Sequence, residues 1–349
     1  MRKLRMCDRY FCDKFKKAVF IMIILLLTYW HPESSKDSNS YVFLRYRNES
    51  SIVNLEKQYD LRVIVIVYDR AHSLLRLLRS LNDAEYFAES IKVEVWIDRS
   101  ENGIIDEATV KTARDYVFKH GDYDVNLHPY HVGIYGQWFT TWKPNLNSSE
   151  IAVILEDDLA VSKYFWKYLK LVHKTYDKHI NINGYSLQGM TTTFGVEDEH
   201  ILQGPTSDYV YLFPVVGAWG FSPNKRNWKQ FIDWYIFGDA KSTMPYIPGH
   251  LATVWFKNLK KKGIPHTMWE IWHIYYALQH NEYTLYCNYP NHTGLTTNWR
   301  EKGLHSAASE GTSNPVLTEW KTEYEILPKT PIYLDVSGRR IESRIASWL

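Results

Sequence analysis

Hydrophobic and polar positions along the chain follow two periods, and the change between them marks out the elements. Residues 62–68 (RVIVIVY) form a continuous β-branched run, the pattern of a strand buried on both faces of a parallel sheet. Leu74, Leu75, Leu77, Leu78 and Leu81 then recur on one side of a helix. The alternation repeats as a strand over 92–97, a helix over 106–119 and a strand over 124–128. A glycine-containing loop, a second buried strand over 151–155 and a helix carrying residues 164–171 come next. Strand–helix alternation of this kind predicts an α/β fold with an open, twisted, mostly parallel sheet flanked by helices. Residues 331–335 read as a closing strand or a docked tail in an otherwise polar C-terminal stretch.

In such sheets ligands bind beyond the carboxyl ends of the strands, so the residues just after each strand are the candidates for chemistry. They are Asp69 and Arg70, Asp98, His131, and the run Glu156-Asp157-Asp158. Three consecutive carboxylates after an apolar strand raise the local negative field and call for a positive partner. A hard divalent cation, Mn²⁺ or Mg²⁺, bridging to a substrate diphosphate is one solution. The other reading is a strand end plus an N-cap for the following helix, with Asp158 or a neighbour as the cap. Asp69, Arg70 and Asp98 are surface turn residues or nucleotide contacts, since Asp can accept from a base or ribose and Arg can fork onto a phosphate. The absence of Gly-x-Gly-x-x-Gly and of a Walker loop speaks against dinucleotide and ATP sites.

The chain has 349 residues, 45% hydrophobic and 23% charged, enough to bury a large core. Its net charge is only +2, with the basic excess before residue 18, so no face for nucleic acid is expected. Fourteen Trp and 26 Tyr suit either sugar stacking or an aromatic core. Cys7 and Cys12 precede the uncharged run at 18–30 and Cys287 lies beyond it, so Cys287 has no partner on its own side.

A basic segment, residues 1–17, followed by 18–30 without a charge predicts a cytosolic tail and a signal-anchor, with the body lumenal. The run is short for a span, and a cleaved signal peptide is the alternative; the run ends Thr-Tyr-Trp-His-Pro rather than in small residues. Residues 31–57 read as a stem, 58–305 as the folded domain and 306–349 as an extension. Sequons at Asn48, Asn147 and Asn291 agree with a lumenal body.

The segment from Val63 to Arg70 and the block Glu156-Asp-Asp-Leu159 resemble the inverting N-acetylglucosaminyltransferase that initiates complex N-glycans and its O-mannose-acting relatives. The segment that opens with Trp269-Glu-Ile-Trp272 and runs to Asn298 is similar to family-2-like sugar transferases. The resemblance spans about residues 60–300 and implies a GT-A fold and a Golgi, type II single-pass setting. It implies that Asp158 ligates the metal, that Glu156 and Asp157 contact ribose and donor sugar, and that Asp98 and His131 hold uracil, with Arg70 near the nucleotide. It also implies a UDP-sugar donor, GlcNAc or a similar hexose, and a glycan or glycoprotein acceptor. Residues 211–220 are similar to the Phe-Pro-Gly-x-Gly-Trp loop that lines the family's sugar site, which makes Trp219 and Trp269 candidate sugar-lining residues or core.

An inverting transfer needs a carboxylate to take the acceptor proton. Glu270 is the first candidate and Asp233 the second. Glu270 departs from the relatives' pattern at the next position, Ile271, and equally suits a helix start. The competing class is a catalytically inactive carbohydrate-binding protein, or a partner of a true transferase, that keeps the fold and the aromatics.

Overall fold

The computed structural model describes residues 57–194, 199–301 and 311–342. The anchor at 18–30, almost all of the stem, Asn48, Cys7 and Cys12 lie outside the described residues. Among the described residues no helix is long and apolar enough to cross a membrane.

The first strand, β1 (Leu61–Val67), is buried along nearly its whole length. Its side chains alternate between two cores: Leu61, Val63, Val65 and Val67 face one, Ile64 and Ile66 the other. Each fully buried Val or Ile contributes about 1.5–3 kcal/mol, so the two-sided burial fixes this strand at the centre of the sheet. The helix α1 (Ala71–Asn82) lays Leu74, Leu77, Leu78 and Leu81 on the first core. β2 (Ile91–Ile97) and β3 (Gly121–Leu127) continue the sheet in parallel, joined by α2 (Glu107–Asp115).

Two expectations for this stretch are corrected. α2 starts where expected, with the Asp106 carboxylate accepting from Thr109 N at 2.8 Å, but ends at Asp115 rather than at 119. Tyr116 is already extended and its hydroxyl donates to the Leu78 carbonyl, so the chain leaves the helix to tuck aromatic residues against the core. The glycine-containing loop after β3 holds a helix instead, α3 (Gly133–Thr140), in which every residue from Tyr135 to Thr140 is buried. A helix buried all round has no amphipathic period to read.

β4 (Ile151–Glu156) pairs parallel with β1. A short strand, β5 (Leu159–Val161), separates the acidic run from α4 (Phe165–Tyr176), whose N-cap is Tyr164 with no side-chain cap. Asp158 therefore caps no helix. The remaining sheet strands are β6 (Ile182–Ser186), β9 (Val210–Phe213), β10 (Phe221–Pro223), β11 (Tyr283–Cys287), β13 (Ile332–Leu334) and β14 (Arg340–Ile341). The pair β7 (Thr192–Phe194) and β8 (Glu199–Ile201), and β12 (Thr296–Asn298) with β5, form two small separate ladders. The main order is β14-β13-β9-β11-β6-β10-β4-β1-β2-β3. Its β4-β1-β2-β3 side is wholly parallel, whereas β10 enters antiparallel between β4 and β6 and begins a mixed half. Residues 332–334 pair with β9, so of the two C-terminal readings the strand is observed.

The second core is aromatic. α5 (Lys225–Phe237), α6 (Ala252–Lys261) and α7 (Glu270–Gln279) pack Trp228, Phe231, Tyr235, Phe256 and Ile274 around Phe139 of α3. Phe139 meets Phe231, Tyr235 and Trp269 edge to face at 5.5, 4.7 and 6.0 Å.

Candidate functional site

The carboxyl ends of β1, β2 and β4 converge on α3, and three residues of that helix tie them together. Gln137 Nε2 donates to the Val67 carbonyl at 2.9 Å and to that of Trp96 at 3.3 Å, clamping β1 to β2. Trp138 Nε1 donates to Glu156 Oε1 at 3.0 Å, bringing in the end of β4. The Tyr135 hydroxyl lies 3.0 Å from the Pro265 carbonyl and 2.8 Å from that of Met268, and accepts from Trp272 Nε1 at 3.0 Å. Residues 265–272 are thereby fixed, and with them the first turn of α7, where Glu270 stands.

Asp98 accepts from the backbone N–H groups of Val132 at 2.9 Å and Gly133 at 2.8 Å, so it caps α3 from the end of a neighbouring strand. Gly133 has φ +64, a conformation that favours glycine at this turn. His131 Nδ1 sits 3.1 Å from Asp98 Oδ2 and 2.5 Å from the Arg99 carbonyl. Burial pushes Asp98 upward, but His131 and the N–H groups of Val132 and Arg99 hold it below the usual carboxylate range. The hydrogen bond that His131 donates to Asp98 raises the imidazole against the opposing effect of burial. Asp69, by contrast, is exposed just after β1.

The acidic run divides in two. Arg70 Nε and Nη2 fork onto the Asp157 carboxylate, and Nη1 donates to Asp158 Oδ2 at 3.0 Å. The positive partner demanded by the acids is thus supplied by the chain itself. Burial alone would lower the Arg70 guanidinium, yet Asp157 and Asp158 raise it well above its ordinary value. Burial pushes the Asp157 carboxyl up to about 7, with Arg70 pulling against it. On the other side of β4, Glu156 has an indole N–H but no cation. Burial, then the charges of Asp158 and Glu270, push its carboxyl up to about 8. Glu270 is pushed to about 7, chiefly by burial. Glu156 and Glu270 are therefore electrostatic neighbours, each poised near neutrality.

Late segments close the site. The loop before β10 carries Trp219, partly buried, whose backbone N–H reaches Gln188 Oε1 at 3.2 Å. Gly220 has φ +88 and would place a Cβ 3.2 Å from Leu155, at the end of β4. Trp299 N donates to the Asp158 carbonyl at 2.8 Å, continuing the β12–β5 ladder onto the acidic run. Glu301, paired with Arg76 at 2.7 Å and hydrogen-bonded by Ser73, contributes negative charge at Asp157.

Several expected site residues stand elsewhere. Trp269 is fully buried, stacked on Trp138 at 4.1 Å, and offers no face to a sugar; it backs the Trp138–Glu156 contact instead. Asp233 pairs with Lys229 one turn away on α5. Asp157 has its oxygens taken by Arg70 and is 3% exposed, so it presents little to a ribose. Asn147 and Asn291 are exposed, as glycosylation would require. Trp138, Tyr135 and Glu301 were not expected: the first two lie in a stretch without period, and Glu301 is one acid among many.

Among the described residues no group of three or more His, Cys, Asp or Glu side chains is arranged to hold a metal ion. Asp158 Oδ1 is nevertheless a buried oxygen with no hydrogen-bond partner, and it suits a hard cation whose other ligands are phosphate oxygens and water.

No protein-family model matches the sequence, and a search of curated proteins finds no match. Among solved structures the chain is similar to S. aureus TarS 1–349, at 13% identity and a TM-score of 0.33, over 67% of this chain and 61% of that one. The chain thus spans less than two thirds of the TarS structure it matches. It is also similar to the mannosyltransferase PcManGT from Pyrobaculum calidifontis in complex with GDP-Man and Mn²⁺, at 11% identity and a TM-score of 0.35, over 70% of this chain and 82% of that one. Mouse xyloside xylosyltransferase 1 is a third, at 10% identity and a TM-score of 0.35, over 64% and 84%. At this distance the matches assign no activity to the chain.

Proposed function

We propose that this chain is a metal-dependent glycosyltransferase of the GT-A type that moves GlcNAc or a similar hexose from a UDP-sugar to a glycan or glycoprotein acceptor, with inversion. The supporting observation is the division of the carboxylates at one strand end: Asp158 with an unsatisfied buried oxygen, and Glu156 with Glu270 held near neutral pH beside it. Asp158 would hold Mn²⁺ or Mg²⁺, whose chemistry there is to neutralise charge on the departing diphosphate. Glu270 takes the proton of the acceptor hydroxyl as its oxygen forms the new bond to the anomeric carbon. The bond from that carbon to the diphosphate oxygen breaks on the opposite face, and UDP leaves with the electron pair. A carboxyl that titrates near 7 is suited to this, since about half of it is ionised at neutral pH and that form is basic enough to accept the proton. His131, held in place by the engaged carboxylate of Asp98, contacts the uracil end, and Trp219 lines the sugar. The N-terminal segment anchors the domain in the Golgi membrane with its body lumenal.

The inactive, glycan-binding reading is favoured by one observation, the engagement of Asp157 and Asp158 by Arg70. Thermal melting against a panel of nucleotide sugars, with Mn²⁺ and with EDTA, separates the two. A Mn²⁺-dependent rise in Tm with one UDP-sugar, lost in Asp158→Ala, supports transfer. No rise with any of them sinks it.

A further inference from the structure

Arg70 holds its two aspartates unequally. Asp157 receives two nitrogens in a fork and its side chain is 4% exposed; Asp158 receives one nitrogen and its side chain is 14% exposed. The guanidinium itself is 24% exposed. Exposure thus rises from the anchored end of the contact towards the end at Asp158, whose second oxygen has no partner. A dication arriving at that oxygen meets a fixed positive charge on the same carboxylate, and the two repel. A nucleoside diphosphate brings tetrahedral phosphate groups, and a guanidinium can fork onto two oxygens of one as it does onto a carboxylate.

We propose that the single bond from Arg70 to Asp158 is a latch: Arg70 keeps Asp158 closed to divalent metal until a nucleoside diphosphate draws the guanidinium away, so that metal and nucleotide enter as a coupled pair. The proposal rests on the donor reading given above. The fork to buried Asp157 serves as the pivot and keeps the arginine at the site after release. The coupling is reciprocal, so metal tightens nucleotide by the same factor as nucleotide tightens metal.

The test is Mn²⁺ binding by the purified full chain, followed by the loss of the free-ion electron paramagnetic resonance signal, with and without UDP. The wild type is expected to bind Mn²⁺ alone weakly and at least about tenfold more tightly with UDP present. Arg70→Gln is expected to bind Mn²⁺ alone at least about tenfold more tightly than the wild type, because the competing charge is gone. Arg70→Lys keeps the charge without the fork and is expected to fall between the two; should Arg70→Gln not fold, the lysine variant decides. Mn²⁺-only affinity in the folded variants equal to that of the wild type, with UDP-dependent binding intact, overturns the latch alone. If Mn²⁺ fails to bind wild type and variants even with UDP, the transferase reading falls together with it.

Discussion

Two pairs of carboxyls meet where the end of β4 faces the start of α7, and they keep different company. Asp157 and Asp158 are both bonded to the Arg70 guanidinium. Glu156 and Glu270 lie against Trp138 and the aromatic core with no cation among their hydrogen-bond partners in the described site. The amino acids are chemically alike. Burial lifts carboxyls in both pairs, and only one pair has a cation bonded to it.

The comparison can be broken most forcefully at Glu270. Glu270→Gln is expected to lower kcat by about 10²–10⁴-fold with KM for the donor little changed, and to abolish a rise in rate centred near pH 7. A variant with near-normal kcat would remove Glu270 as the base. On the opposite side, Arg70→Gln is expected to destabilise the fold by about 3 kcal/mol, more at pH 8 than at pH 5, because buried Asp157 loses its partner as it ionises. Urea melts at the two pH values test it, and equal melts would mean that the pair is not held by charge.

Glu270 should also show a stability cost of the reverse sign. Its carboxyl titrates near 4.5 when exposed and near 7 in the folded protein. Between those values the folded state holds the extra proton, so stability falls as pH rises through the window and the loss is complete above 7. Glu270→Gln should therefore match the wild type at pH 4.5 and exceed it at pH 8 by about 1–3 kcal/mol. A glutamine variant less stable at pH 8 would contradict the assigned environment.

The smallest effect belongs to His131. Its folded pKa is raised, so its contribution is fully present below about 6.5 and fades as pH rises through the folded value. Asp98, which is lowered, contributes above its ordinary value and loses that contribution on acidification. His131→Ala should cost about 0.5–1 kcal/mol at pH 5.5 and less at pH 8.5, measured by the same melts.

The parallel half was legible in the sequence because strands buried on both faces need unbroken β-branched runs, as in β1, and because strand-end acids stand out against them. Arg70, Asp98, His131 and the acidic run do gather there. α3 was not legible: its cap is Asp98, which lies 34 residues from Val132, and its faces are all buried. Trp269 shows the same limit from the other direction, since a tryptophan beside a candidate glutamate reads identically whether it meets a ligand or, as here, another indole. The roles of Arg70 were half visible, its place near the site from the sequence and its double grip on the acids only from the fold.

The hydrogen bond from Trp299 N to the Asp158 carbonyl joins residues about 140 positions apart, and β12 pairs with β5 across the same gap. Ladders of such long range form late, since the chain must first be closed at a cost in entropy. A nascent chain that had emerged only as far as α7 would already contain Glu156, Asp157, Asp158 and Glu270, with the strand that supports Asp158 still unmade. The support of Asp158 is therefore completed only after β1, β2 and β4, whose ends carry the candidate residues, have had time to pair.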